Sequence, residues 1–133
     1  MLEAEKFSSR FEFSTVDWKD VPESPSVYVI YDADEVLYVG MAGRNGRGNL
    51  RNRLRDHGSG SIVNMFAQYL FLARVQFTAS EPVTHPRAAK NLCRQYIRER
   101  CSFCFIVTES GTRARELEVE LKQTLRPALN PTT

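Results

Sequence analysis

Residues 26–57, SVYVIYDADEVLYVGMAGRNGRGNLRNRLRDH, limit the possible folds more than any other stretch of the chain. Val27–Tyr31 and Val36–Val39 are short β-branched and aromatic runs around the polar turn Asp32-Ala33-Asp34-Glu35, a pattern that predicts a β-hairpin. After Gly40 comes a Gly- and Arg-rich loop, 43–48, and then a helical pattern in which Leu50 and Leu54 recur four apart. Arg53 and His57 have the same spacing, so they occupy a second face of that helix. The hairpin carries two tyrosines, Tyr28 and Tyr38. They share a face only if the pairing register is even, which requires an odd loop such as Asp32-Ala33-Asp34, or a bulge. A plain four-residue loop would put them on opposite faces.

The 133 residues suffice for one domain, 1–133, with a real core. With 42% hydrophobic and 26% charged residues this is an ordinary globular composition. No apolar run approaches the ~20 residues of a membrane span, and MLEAEKFSSR lacks a signal-peptide core. A cytoplasmic protein is expected. A net charge of +2 is too small to argue nucleic-acid binding by itself. The placement of charge says more. Arg44, Arg47, Arg51, Arg53 and Arg55 fall together with no acid among them, and Arg87, Lys90, Arg94, Arg98 and Arg100 are opposed only by Glu99. Two such patches predict a one-sided electrostatic footprint for nucleic acid, the alternative being solvated helix faces. Cys101-Ser102-Phe103-Cys104 is a Cys-x-x-Cys, but a structural zinc site needs four ligands. An odd count of three cysteines also argues against a disulfide framework, leaving buried thiols as the expectation.

In chain order, residues 1–25 form a lead-in whose Phe7, Phe11, Phe13, Val16 and Trp18 are expected to pack the flank of the sheet. Residues 58–100 hold a helix over about 61–73, from Ile62, Phe66, Tyr69 and Leu70. Val75 and Phe77 leave a short strand undecided. A basic helix follows over about 87–99, burying Ala88, Leu92 and Tyr96, with Ile97 a further candidate, and presenting Arg87, Lys90, Arg94 and Arg98 as a stripe. Phe103–Thr108 reads as the central strand, Glu109-Ser110-Gly111-Thr112 as a turn with helix caps, and 113–125 as the last helix, stopped by Pro127.

Two widely separated elements carry a resemblance. Ser26-Val27-Tyr28 and Tyr38-Val39-Gly40, ten residues apart and followed by Arg53, resemble the paired elements of the GIY-YIG nuclease family. Glu118, with Pro127 nine and Asn130 twelve residues later, is similar to that family's last element. The chain departs from the pattern with Ser26 for Gly and with Val27 and Val39 for Ile. Serine matters there only if the backbone needs positive φ.

The resemblance implies an α/β (α+β) fold: a small, mainly antiparallel three-stranded sheet flanked by helices, with 58–100 as a helical insertion. It also implies a metal-dependent endonuclease that hydrolyses DNA phosphodiesters. Tyr28 would activate water, Tyr38 would position water or phosphate, and Arg53 would contact phosphate. His57 would assist, either as a cation lowering the Tyr28 pKa or as the base itself. Glu118 would bind one Mg²⁺ (or Mn²⁺), and Asn130 would fix the site. Arg44, Arg47, Arg51, Arg87, Lys90, Arg94 and Arg98 would bind the nucleic acid. Each residue also has a plainer role open to it. Glu118 could pair with Arg115 or Lys122, with Glu116 and Glu120 as rival carboxylates. His57 could sit at a helix end favoured by the macrodipole, and Asn130 could cap the last turn. The alternative function is a nucleic-acid-binding module with weak or no cleavage.

Overall fold

The computed structural model describes residues 5–43 and 49–130. Its elements are β1 (Phe11–Glu12), β2 (Ser26–Asp32), β3 (Glu35–Ala42), α1 (Leu50–Gly58), α2 (Met65–Ala73), α3 (Pro86–Arg100), β4 (Cys101–Val107) and α4 (Gly111–Leu125). The sheet is antiparallel and four-stranded, in the order β1-β4-β2-β3. The expected count of three missed β1, a two-residue strand inside the lead-in. Phe11 pairs with Phe103, where the two rings stack 5.6 Å apart.

Both strand faces are buried, which explains why β2 and β4 read as nearly continuous apolar runs rather than alternating ones. Tyr28, Ile30, Leu37, Phe103 and Phe105 face a core built with Leu50 and Leu54 of α1, Phe66 and Leu70 of α2, and Cys93 and Ile97 of α3. Val27, Val29, Val39, Cys104 and Ile106 face Leu117, Leu121 and Leu125 of α4 on the other side. Cys101 and Cys104 therefore lie on opposite faces of the sheet, because residues three apart on a strand point opposite ways. The expected lead-in packing holds for Phe11, Phe13, Val16 and Trp18, with Phe13 and Trp18 lying 4.9 and 5.9 Å from Phe103, but not for Phe7, which is 48% exposed.

The helices follow their caps. Asn49, Asn64 and Ser110 each accept a backbone N–H three residues on, opening α1, α2 and α4. Ile62 falls outside α2, and Val75–Thr78 is a 3₁₀ turn rather than a strand. α3 is rotated one position from expectation. It buries Ala89, Cys93 and Ile97, whereas Ala88 is exposed and Leu92 and Tyr96 are half-buried. Two adjacent apolar rows compete for the core there, and the Cys93–Ile97 row goes deepest.

The hairpin closes through a two-residue turn in which Ala33 has φ 53°, with a bulge near Leu37. Tyr28 pairs with Gly40 and Ile30 with Tyr38, so the bulge restores the even register that puts both tyrosines on one face. The segment after α4 holds this irregular edge. Ala128 and Leu129 donate backbone N–H to the carbonyls of Val36 and Leu37. The Asn130 amide accepts from Val39 N–H at 2.8 Å and donates to Val39 C=O at 2.9 Å. Asn130 therefore clamps β3 instead of capping α4, which ends on Arg126 at φ 49°. Ser26 is extended strand, outside the positive-φ residues, so serine costs nothing there.

Replacing Asn130 with Ala strands both backbone groups of the buried Val39, and we expect a loss of about 2–4 kcal/mol. The check is urea denaturation, read as a lower midpoint at unchanged m. A midpoint equal to the parent's would show that water serves Val39 equally well.

Candidate functional site

Three segments distant in sequence meet on the face shared by α1, α2 and α3. Tyr28 stands on β2, directly opposite Gly40 of β3. A Cβ at Gly40 would overlap the Tyr28 hydroxyl and ring, so only glycine lets the phenol lie across the neighbouring strand. The hydroxyl then reaches α1, where Tyr28 Oη and His57 Nε2 are 2.6 Å apart. Tyr38 packs beside the pair, with ring centroids 6.5 Å from Tyr28 and 5.8 Å from His57. Phe66 of α2 closes the cluster, 5.3 Å from Tyr38 and 5.1 Å from His57. Tyr28 and His57 are each 2% exposed, while Tyr38 is half-buried.

Charge converges here from both sides of the sheet. Burial raises the Tyr28 pKa well above its ordinary value; Tyr38 and the Glu118 and Asp56 carboxylates add to this and Arg53 opposes it. Burial likewise raises Tyr38, with Glu118 adding and Arg53 opposing. Burial pushes His57 down to about 3, helped by the Arg53 cation and opposed by nearby Asn64. The resting pair is thus a neutral phenol against a neutral imidazole. The cationic His57 entertained from sequence does not form in this environment. Among the described residues His57 Nδ1 has no hydrogen-bond partner, an orphan worth about 1–3 kcal/mol.

Glu118 is the α4 carboxylate that acts on both tyrosines. Its side chain is 14% exposed, and it makes only loose ion pairs, 3.5 Å from Lys122 and 3.8 Å from Arg115. Of its rivals, Glu116 is turned to Arg113 at 3.1 Å and Glu120 is exposed. Arg53 is exposed and lines a cleft of about 240 Å³ with Ala42, Gly43, Asn49, Asn52 and Asp56. Among the described residues no three His, Cys, Asp or Glu side chains could together hold a metal ion. Glu118 is a single half-buried carboxylate beside the phenols, and a hard cation such as magnesium bound there would need waters and other oxygens to complete its shell.

Neither a family model nor a curated protein matches the chain.

The remaining basic residues divide. Arg44 and Arg47 lie outside the described residues. Arg51 is half-buried and occupied, donating to Val21 C=O at 2.9 Å and pairing with Glu23 at 3.2 Å, so it holds α1 to the lead-in. On α3, Arg87 and Arg98 are exposed, whereas Lys90 and Arg94 are half-buried, with their backbone against Gly60 just beyond α1. No helix among the described residues is long and apolar enough to cross a membrane.

Sequence reasoning missed a second buried polar cluster at the far end of β2. Asp32 receives Arg74 and Arg100, each at 3.0 Å, together with the Tyr96 hydroxyl. These bonds outweigh its burial and lower its pKa. By sequence Asp32 is a turn residue, and nothing around it marks three partners drawn from more than forty residues away. A larger cavity of about 430 Å³ lies elsewhere, among Phe71, Leu72, Val83 and Ala89.

A histidine held neutral costs stability as acid protonates the unfolded chain. With a folded pKa of about 3 and an unfolded value near 6.5, this contribution is complete above pH 6.5 and lost as pH falls towards 3. The slope should approach about 1.4 kcal/mol per pH unit. Urea melts at pH 7, 5.5 and 4.5 check this: His57→Gln should flatten the fall across a window that lies above the Asp32 titration. Parallel curves for parent and variant would place the acid sensitivity elsewhere.

Proposed function

We propose that this domain is a metal-dependent endonuclease that hydrolyses DNA phosphodiester bonds, and that it is a member of the GIY-YIG nuclease family. One observation carries the reading. Tyr28, Tyr38, Arg53 and Glu118, marked out by the resemblance, and His57, one turn from Arg53, share one electrostatic neighbourhood although they come from both sides of the sheet. A chain that only bound DNA would gain nothing from a half-buried carboxylate beside the phosphate.

Phosphodiester hydrolysis needs an activated water, charge stabilisation at the phosphorus and a route for the proton. Arg53, exposed at the cleft, binds the non-bridging oxygens and offsets the growing negative charge. Glu118 holds Mg²⁺ or Mn²⁺, which when bound supplies Lewis-acid stabilisation of the phosphate. Tyr28 accepts the proton of the attacking water as its own phenolic proton passes to His57 Nε2. The short Oη–Nε2 distance makes the two side chains one relay. His57 resists protonation chiefly through burial and secondly through the Arg53 cation, so a phosphate that offsets the Arg53 charge and adds negative charge nearby eases the transfer. Tyr38 orients water or phosphate at the half-exposed rim. Asn130 acts at one remove, by fixing the β3 backbone that carries Tyr38 and Gly40.

We expect Glu118→Gln to lower cleavage about a hundredfold or more while DNA binding is kept, and Glu116→Gln to cleave like the parent. Plasmid nicking with Mg²⁺ or with EDTA measures this. Equal activity of Glu118→Gln and the parent would remove the metal role from that residue.

Tyr28→Phe should cost about 10²–10⁴-fold in single-turnover cleavage at every pH. Tyr38→Phe should cost only about tenfold, one hydrogen bond of roughly 0.5–1.5 kcal/mol. If Tyr28→Phe stayed within tenfold of the parent while His57→Gln was inactive, His57 alone would be the base.

A further inference from the structure

The arginines of the described chain fall into two groups. Arg10, Arg51, Arg74, Arg100, Arg113 and Arg115 each pair with a carboxylate. Among the described residues, Arg53, Arg55, Arg87, Arg94, Arg98 and Arg126 pair with none. Three of the unpaired set, Arg55, Arg94 and Arg98, line one cleft of about 210 Å³ together with Trp18, Gly58 and Ser59.

Two glycines let the backbone build this cleft. Gly60, at φ 77°, lets the end of α1 approach α3 so closely that a Cβ would meet Lys90 O and Arg94 N at 2.5 Å. Gly58 sits against the Phe13 ring, where a Cβ would come within 2.9 Å. Arg94 is steadied by its Nε–H donating to Ser59 C=O at 3.4 Å. Gathering three guanidinium groups around one concavity without a counter-charge is unfavourable until an anion enters, and guanidinium forks suit phosphate oxygens best.

Position distinguishes this cleft from the one at Arg53. Residues two apart on a helix point about 200° from one another, so Arg53 and Arg55 flank α1 on opposite sides while Leu50, Leu54 and His57 enter the core between them. With helix diameters of about 10–12 Å, a strand engaging both must extend about three nucleotides at ~3.4 Å each.

We infer that the Arg55–Arg94–Arg98 cleft is a second phosphate-binding subsite, which holds a DNA backbone phosphate across α1 from the one bound at Arg53. This rests on the nuclease reading for the identity of the ligand. The substrate is then gripped on both flanks of α1, and binding is separable from cleavage.

Trp18 is the chain's single tryptophan and lines the subsite, so its fluorescence reports occupancy. The experiment titrates a 20-base-pair duplex into the parent, Arg55→Gln/Arg98→Gln, Arg53→Gln and Lys6→Gln, following Trp18 emission and the dependence of affinity on salt. Arg55, Arg98 and Lys6 are exposed and unpaired among the described residues, so folding is not at stake. The double variant should lose the emission change and flatten the plot of log affinity against log salt by about one unit for each phosphate it no longer neutralises. Arg53→Gln should lose cleavage yet keep the emission change, and Lys6→Gln should keep both the emission change and the slope. A parent that binds and cleaves with no Trp18 response, or a double variant with the parent's slope and response, would overturn the subsite alone. A parent that binds no duplex would overturn both the subsite and the nuclease reading.

Discussion

Tyr28 can touch His57 only because its ring crosses the strand at Gly40, and that crossing depends on the pairing register of one hairpin. A slip of one residue would send Tyr28 and Ile30 to the α4 side and bring Val27 and Val29 into their places. Two devices hold the register. The bulge near Leu37 absorbs the extra residue, and the chain after α4 hydrogen-bonds Val36, Leu37 and Val39 on either side of that bulge. The catalytic geometry proposed for the phenols is therefore secured by residues 128–130, which never touch the phenols' hydroxyl groups.

Much of this arrangement was legible in the sequence because it rests on local periodicity. Valine, isoleucine and tyrosine around Asp32–Glu35 give a hairpin, and a spacing of four places Arg53 and His57 along one side of α1. The alternative of a bulge in the hairpin was also readable, since only parity decides which face a tyrosine takes. What could not be read depends on long-range partners. Asp32 looks like a turn residue until Arg74 arrives from the end of α2 and Tyr96 and Arg100 from α3. The two apolar rows of α3 are separated by a single residue, and only the packed neighbours choose between Ala88 and Ala89. β1 is too short to leave a periodic signal, and Asn130 shows its role only when β3 lies alongside it.

The site also illustrates how burial and charge oppose one another. Desolvation keeps Tyr28 protonated and His57 unprotonated, so neither is charged at neutral pH. Arg53 and Glu118 exert their fields from more accessible positions, one cationic and one anionic, and partly cancel at the phenols. A phosphate entering beside Arg53 would disturb this balance more than any rearrangement of the protein, because it would alter the charge around a pair that has almost no water to screen it.

The two outer edges of the sheet are treated alike. Residues 128–130 lie along β3, while Ser8 bonds both backbone groups of Phe105 and Phe13 N–H donates to Cys101 C=O, extending the cover that β1 begins on β4. Exposed strand edges are templates for strands of other molecules, and the apolar β3 and β4 would be adhesive ones. The peptide near each end of the domain thus serves as a guard against aggregation. Without residues 8–13 or 128–130 the paired strand would present open backbone groups, and Phe13 and Leu129 would leave the core with them.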